Sequence, residues 1–272
     1  MRRLAVLLLV FTCHAGAPAA SAELVAGKSG RVTEIVDGDT LVLEDGTQVR
    51  LVGIQAPKLP LGRPGFEAWP LADEAKAALE DMALGARVRL SYGGRRSDRR
   101  SDRYGRALAH LHTEASQTND GQTDDGLWLQ GELLRRGLAR VYSFRDNRAL
   151  IPEMLALEAE ARAARRGIWD HPFYAVRAAE PPELEIDRFE LVEGLVVAVA
   201  IVRKRAYLNF GPDWKSDFTV SIAPRDRLLF EREGIDLEAL EGRVVRVRGW
   251  VKSWNGPMIE VTHPEQIEVL DE

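Results

Sequence analysis

Two short runs carry the residue types that phosphodiester chemistry needs. In Val36-Asp37-Gly38-Asp39-Thr40 two carboxylates flank a glycine, and acid oxygens in such a turn can hold a divalent cation. Asp37 also suits a plain turn role, because an aspartate side chain can bond nearby backbone. Arg50 stands one hairpin later, between Val49 and Leu51. Arg106 ends a Tyr104-Gly105-Arg106 turn, where the glycine permits a sharp reversal. A guanidinium donates bidentate hydrogen bonds to phosphate oxygens and offsets the charge that grows as a phosphodiester is attacked. On pattern alone Arg50 equally suits a solvated strand face. The segment 95–106 holds six arginines against two aspartates, a basic loop that attracts polyanions.

The elements that must position these groups read as β-rich. Strands are expected over 30–35, 40–44 and 48–54, with Asp45-Gly46 as a hairpin turn. Proline and glycine then make the loop from Pro57 to Gly65 irregular. Helical periodicity covers 71–84, stopped by Gly85. Strands follow over 87–92 and 107–112, helices over 128–136 and 152–166, and an extended segment over 139–144. Five β segments with three helices predict a Greek-key oligonucleotide/oligosaccharide-binding (OB) barrel. The polar stretch 116–126 reads as a hairpin loop. Residues 171–188 read as a linker, with Pro181-Pro182 and acidic residues. Beyond it, strands over 191–202, 207–210, 217–222, 244–251 and 258–261, a helix over 228–240 and an Asn255-Gly256 hairpin suggest a second, smaller OB-like barrel over 189–272. The fold class is mainly β with helices (α+β).

The motifs VDGDT, VRLVGIQAP, RSDRYGRALA, LLRRGLARVY and ARAARRGIW follow in this order. Together they resemble the thermonuclease, or staphylococcal-nuclease-like, family over about residues 30–170. The resemblance implies an OB barrel that binds Ca²⁺ and cleaves DNA and RNA with water as nucleophile. It implies that Asp39 is the main calcium carboxylate and that Arg50 and Arg106 bind phosphate. Tyr104 and Gly105 would position Arg106, and Arg103 would be a further phosphate contact. Two positions depart from the family pattern. Gln55 stands where a second calcium carboxylate is expected, and offers an uncharged carbonyl oxygen. Lys58 stands where the family has the glutamate that aligns or activates water. Lysine is protonated at neutral pH and is no base, though a cation there can neutralise phosphate charge. Glu67, Asp73 and Glu74, shortly downstream, are the candidates to replace that glutamate.

Composition bounds the rest. The 272 residues are 45% apolar, enough for one large or two modest domains. Residues 1–22 read as an export signal: Arg2 and Arg3, an apolar run to Val10, then Ala20-Ser21-Ala22 as a cleavage site. Cleavage removes Cys13, the single cysteine, which excludes disulfides, thiol nucleophiles and thiolate metal sites from the mature chain. It also takes the formal charge from −5 to −7 by removing two arginines. A net acidic protein binds nucleic acid only through local basic patches. No later segment is apolar enough to span a bilayer, so stable membrane insertion is not expected.

Weaker features complete the picture. Tyr142 and Phe144 alternate on one extended segment, suited to stacking bases or to packing a core. Trp128 and Trp169 read as core, and His110 and His112 as packed or solvent-facing. Arg203, Lys204, Arg205 and Lys215 interleave with Tyr207, Phe210 and Trp214, and Arg246, Arg248 and Trp250 would add to that surface if they share its face. Three functions follow: an exported, metal-assisted nuclease acting on DNA or RNA; a nucleic-acid or polyanion binder that has lost turnover; and a protein- or glycan-binding module.

Overall fold

Alternating valine and leucine runs close into a barrel. The computed structural model describes residues 24–94, 99–114 and 126–270. Residues 1–22, expected as a leader, with Cys13, Arg95, Arg96 and Asp98 of the basic loop, and the polar stretch from 116 to 125 lie outside the described residues. The barrel strands are β1 (Leu24–Asp37), β2 (Thr40–Leu43), β3 (Gln48–Leu51), β5 (Arg87–Gly93) and β6 (Ala107–Thr113), in the closed order β1-β2-β3-β6-β5. Closure depends on β1, which is longer than the sequence pattern suggests. Its first half pairs with β5 and its second half with β2, with register shifts between. Leu41, Leu43, Val49, Leu51, Leu90 and Leu111 point inward and are fully buried.

The expected strand over 48–54 breaks at Gly53, whose φ of 83° ends β3. A Cβ there would also meet the Met154 sulfur at 2.7 Å. The chain resumes as β4 (Ile54–Gln55), which pairs instead with β7 (Arg140–Val141), setting Gln55 opposite Arg140. Three helices cover the barrel: α1 (Ala72–Ala83), α2 (Leu129–Arg135) and α3 (Ile151–Ala163). Ala75, Ala78 and Leu79 give α1 a small-residue inner face. The Asp37–Asp39 turn lies against that face, since a Cβ on Gly38 would stand 2.7 Å from Ala56 and 2.8 Å from Ala75.

A second sheet follows. Its strands are β8 (Arg177–Ala178), β9 (Phe189–Leu195), β10 (Ala198–Val202), β11 (Arg205–Asn209), β12 (Thr219–Ile222), β13 (Val244–Ser253), β14 (Pro257–Val261) and β15 (Ile267–Val269). The order is β10-β11-β12-β14-β13-β9-β8, with β15 also on β13, so this sheet curls over its own core without the closing ladder of the first. The expected strand over 191–202 is two strands. The helix α4 (Pro224–Arg232) starts earlier than expected because Pro224 supplies its first turn, and it ends at Gly234 with φ 72°.

The stretch expected as a linker is packed. Phe173 meets Trp69 at 5.5 Å, and the Tyr174 hydroxyl donates to the Pro70 carbonyl at 2.8 Å. Buried charge also joins the two units. Arg248 of β13, 1% exposed, donates to both Glu158 oxygens on α3 at 2.9 and 3.1 Å and also pairs with Glu268. Glu158 in turn accepts from the Val141 amide at 2.6 Å. Arg148 binds Glu233 and Glu265 together. Arg246, Arg248 and Trp250 do share a face of β13, but Arg246 and Arg248 are held by Glu193, Glu158 and Glu268, so they hold units together and add no open basic surface.

Removing one partner of such a network strands the other charges in a low-dielectric site. Arg248→Ala should cost about 3–5 kcal/mol in urea unfolding; a loss within experimental error of zero would show that the network does not tie the units together.

Candidate functional site

Asp39 is wholly buried, at 0% exposure, at the turn between β1 and β2. Every side-chain oxygen it has is engaged. Oδ2 accepts from the Ala56 amide at 2.8 Å. The Lys58 ammonium donates to Oδ1 at 2.8 Å and to Oδ2 at 2.7 Å. Arg50 pairs with Oδ1 through Nη1. Burial works against the charge of Asp39. The positive charges of Arg50 and Lys58 outweigh it, helped by hydrogen bonds from Lys58 and Ala56, and hold the carboxyl well below the usual carboxylate range. Asp37 goes the other way: burial and then the charge of Asp39 raise it, against a partial pull from Lys58 at 3.5 Å. The Asp37 Oδ1 accepts from the Asp39 amide at 3.0 Å, the turn role its sequence context allowed.

Gln55 is turned away from this cluster. Its Oε1 accepts two hydrogen bonds from buried Arg140, at 3.0 Å from Nε and 2.7 Å from Nη2. Burial lowers Arg140 to about 10, so it stays cationic at neutral pH. The expectation that Gln55 lends an oxygen to a metal is therefore corrected, since a carbonyl oxygen has two lone pairs and both are used. Ca²⁺ takes six to eight oxygen ligands. Here the oxygens of Asp37, Asp39 and Gln55 face N–H donors, three of them cationic side chains. Among the described residues no three or more His, Cys, Asp or Glu side chains are grouped to hold a metal. The residues present do not fit the calcium site that the resemblance implies. The Lys58 ammonium, contacting both Asp39 oxygens and facing Asp37, is the cation of this cluster. Glu67, Asp73 and Glu74 do not replace the missing base: all three are exposed, the latter two on the first turn of α1.

The arginines fare better. Arg50 donates to the Ile54 carbonyl at 3.0 Å and the Asp39 carbonyl at 3.5 Å, besides its pair with Asp39. Its five N–H donors exceed those three acceptors. The strand register β3–β6 is parallel, with Arg50 opposite Leu108. Arg106, two residues before Leu108, therefore falls on the same face, with Cα atoms on the order of 8 Å apart from strand spacing and rise. Gly105 has the φ of 81° that the turn requires. Asp102 builds that turn, accepting from the Tyr104 amide at 2.8 Å, the Arg106 amide at 3.0 Å and Arg106 Nε at 2.7 Å. Tyr104, 69% exposed, lies under Arg103 at 4.8 Å and Arg106 at 5.7 Å. Arg50 and Lys58, paired with Asp39, and Arg106, paired with Asp102, thus stand near the exposed Arg103 at one end of the barrel.

Chain similarity settles the family. A family model described as staphylococcal nuclease homologue matches residues 48–171, taking in Arg50, Lys58 and Arg106. Protein ParB of Escherichia coli is 33% identical over 155 residues, covering 56% of this chain and 76% of that protein. The chain belongs to the staphylococcal nuclease family. Thermonuclease of Staphylococcus hyicus is 26% identical over 144 residues (52% of this chain, 75% of that one). Endonuclease YncB of Bacillus subtilis is 29% identical over 143 residues (51% and 60%). In this nuclease-family barrel Arg50 and Arg106 fall on one face, while Lys58 and Arg140 engage the side-chain oxygens of Asp39 and Gln55.

Other expected residues sort clearly. Tyr142 accepts a hydrogen bond from the Trp250 indole at 2.8 Å and packs edge-on to Phe144 at 4.9 Å, so the pair lies at the seam with the second sheet. His110 is buried between core groups and near Trp128, and burial lowers it to about 3. Ser143 and His263 meet at 2.7 Å, but burial, with Arg148, Arg248 and Arg145 nearby, lowers His263 to about 3, which makes it a feeble base. Arg140 is the site residue that sequence reasoning missed; the one cue was an arginine alternating with Tyr142 on a strand otherwise read as apolar.

Lys58→Met should test the ion cluster. The lowered pKa of Asp39 contributes stability above its unfolded pKa of ~3.9, lost as pH falls through the lower folded value. The variant should lose about 1–3 kcal/mol at neutral pH, with the gap to wild type shrinking below pH ~4. A gap that stays constant down to the acid limit would refute the pairing.

Proposed function

We propose that this protein binds nucleic acid through the barrel rim and does not cleave it by the calcium-assisted route. The observation that carries this reading is the Lys58 ammonium at 2.8 and 2.7 Å from the two Asp39 oxygens. A tethered cation holds the carboxylate that a metal would need. The same lysine leaves no carboxylate at the water-activating position. Arg50, Arg103, Arg106 and Lys58 supply positive charge where a phosphate backbone would lie, and Tyr104 offers an exposed ring beside it. Either DNA or RNA can supply such a backbone. The expected leader over residues 1–22 supports action outside the cytoplasm, which cell fractionation tests: a chain found only in the cytoplasm contradicts it.

Fluorescence anisotropy with labelled single-stranded DNA and RNA, in EDTA and in Ca²⁺, tests the main reading. Binding should be equal in both conditions, with intact oligonucleotide recovered. Arg103→Ala and Arg106→Ala should each weaken binding and each lower the slope of log affinity against log salt by roughly 0.7–0.9. Ca²⁺-dependent cleavage abolished by Arg106→Ala would overturn the proposal in favour of a working nuclease. Absence of any binding would leave the protein- or glycan-binding reading.

A further inference from the structure

Exposed Trp214, Trp250 and Trp254 all belong to the second sheet and its loops. Pairing registers set one face of that sheet out in rows. Ala198, Asn209, Thr219, Met258 and Lys252 lie opposite one another in turn across β10, β11, β12, β14 and β13. The next row is Ala200, Tyr207, Ser221 and Glu260, and alternation brings Trp250 of β13 alongside it. One end of this face is covered: there Arg246 and Arg248 meet their glutamates. The other end is open and holds two hollows. One, of about 260 Å³, lies between Tyr142, Phe144 and Trp250 at the seam. The other, of about 460 Å³, lies between Trp214 and Trp254, with Tyr207 and Met258 on its floor and Asn209 and Thr219 at its edge. That volume is in the range of small-ligand sites.

The two tryptophans are 57% and 67% exposed, yet their loops are braced. Asp213 accepts from the Lys215 amide at 3.1 Å and the Ser216 hydroxyl at 3.0 Å, and Asp217 accepts from the Asp213 amide. The Trp254 hairpin lies directly on that loop. Gly256, at φ 94°, has room for no Cβ, which would stand 2.6 Å from the Ser216 carbonyl oxygen. The two rings thus stand on braced loops and line one groove, with amide and hydroxyl groups at its edge. Apolar walls with polar edges suit a planar base, which stacks on its faces and hydrogen-bonds at its rim. Lys215 lies 5.6 Å from the Trp214 ring, and Arg205 and Lys252 share Glu260, while Asp213 and Asp217 sit in the Trp214 loop, so the groove is close to neutral and the rings carry the recognition.

We propose that the Trp214–Trp254 groove is a nucleobase-stacking site, and that a single strand held at the barrel rim continues over the seam aromatics into it. This rests on the nucleic-acid reading of the barrel and adds the second sheet as a separate contact. Its chemistry calls for unpaired bases, since a duplex hides base faces.

The experiment is a titration of the mature full-length protein with a labelled twenty-nucleotide oligo(dT), its duplex form, and chitohexaose as a glycan probe, following tryptophan fluorescence and anisotropy. Wild type should bind the single strand more tightly than the duplex, with quenching. Trp214→Ala and Trp254→Ala should each raise the Kd for oligo(dT) about five- to 150-fold. Trp214→Phe and Trp254→Phe should keep most of the affinity, and thermal melts should match wild type because both rings are exposed. Oligo(dT) binding that falls with Arg103→Ala and Arg106→Ala but is unmoved by both tryptophan-to-alanine changes overturns the groove alone. No oligo(dT) binding by wild type overturns groove and barrel readings together. Quenching by chitohexaose without quenching by oligo(dT) assigns the groove to a glycan and overturns the proposal.

Discussion

A carboxylate with no exposure to water must have its charge answered from within the protein, and at Asp39 that requirement shapes the site around it. The turn that carries it is pressed against α1, close enough that only glycine fits at position 38. Lys58, Arg50 and the Ala56 amide converge on the same two oxygens. These three come from β3 and the segment after β4, so the cluster also fixes how the chain leaves the barrel. An ion pair in this position holds a geometry that a metal would otherwise hold, without needing the metal.

The same logic repeats at Gln55. Arg140 supplies the charge, Gln55 accepts its hydrogen bonds, and a buried arginine is thereby placed on the strand pair β4–β7. Arg140 in turn lies over Phe189 at 4.6 Å, at the edge of the second sheet. Closing the acid side of the barrel and docking the second unit are thus neighbouring events in one structure. The nuclease family relationship and the paired acid residues are compatible: the barrel is that of the family, and the centre of its site is filled by fixed cations.

Much of the barrel was legible in the sequence. Alternation marked β2, β3, β5 and β6, and Gly85 marked where α1 stops, while α3 ends at Ala163, three residues short of the expected end. Asp39, Arg50 and the Tyr104–Arg106 turn could be read from local spacing, because turn and strand chemistry are local. The contacts that decide function were not. Lys58 reaches Asp39 across 19 residues and Arg140 reaches Gln55 across 85, and only barrel closure brings them together. The second sheet shows the same division. Basic and aromatic residues were visible around Tyr207 and Trp214, but Phe210 is core and Arg248 is buried against α3. Trp254 gave no cue, since its meeting with the Trp214 loop is a tertiary event.

The central claim is that Lys58 occupies the place of a divalent cation. Isothermal titration of the mature wild-type protein with Ca²⁺, beside a Gln55→Asp, Lys58→Glu double variant, tests it most directly. Wild type should give no saturable heat, and the double variant, regaining two carboxylates, should bind. Saturable Ca²⁺ binding by wild type that is lost in Asp39→Asn would contradict the claim.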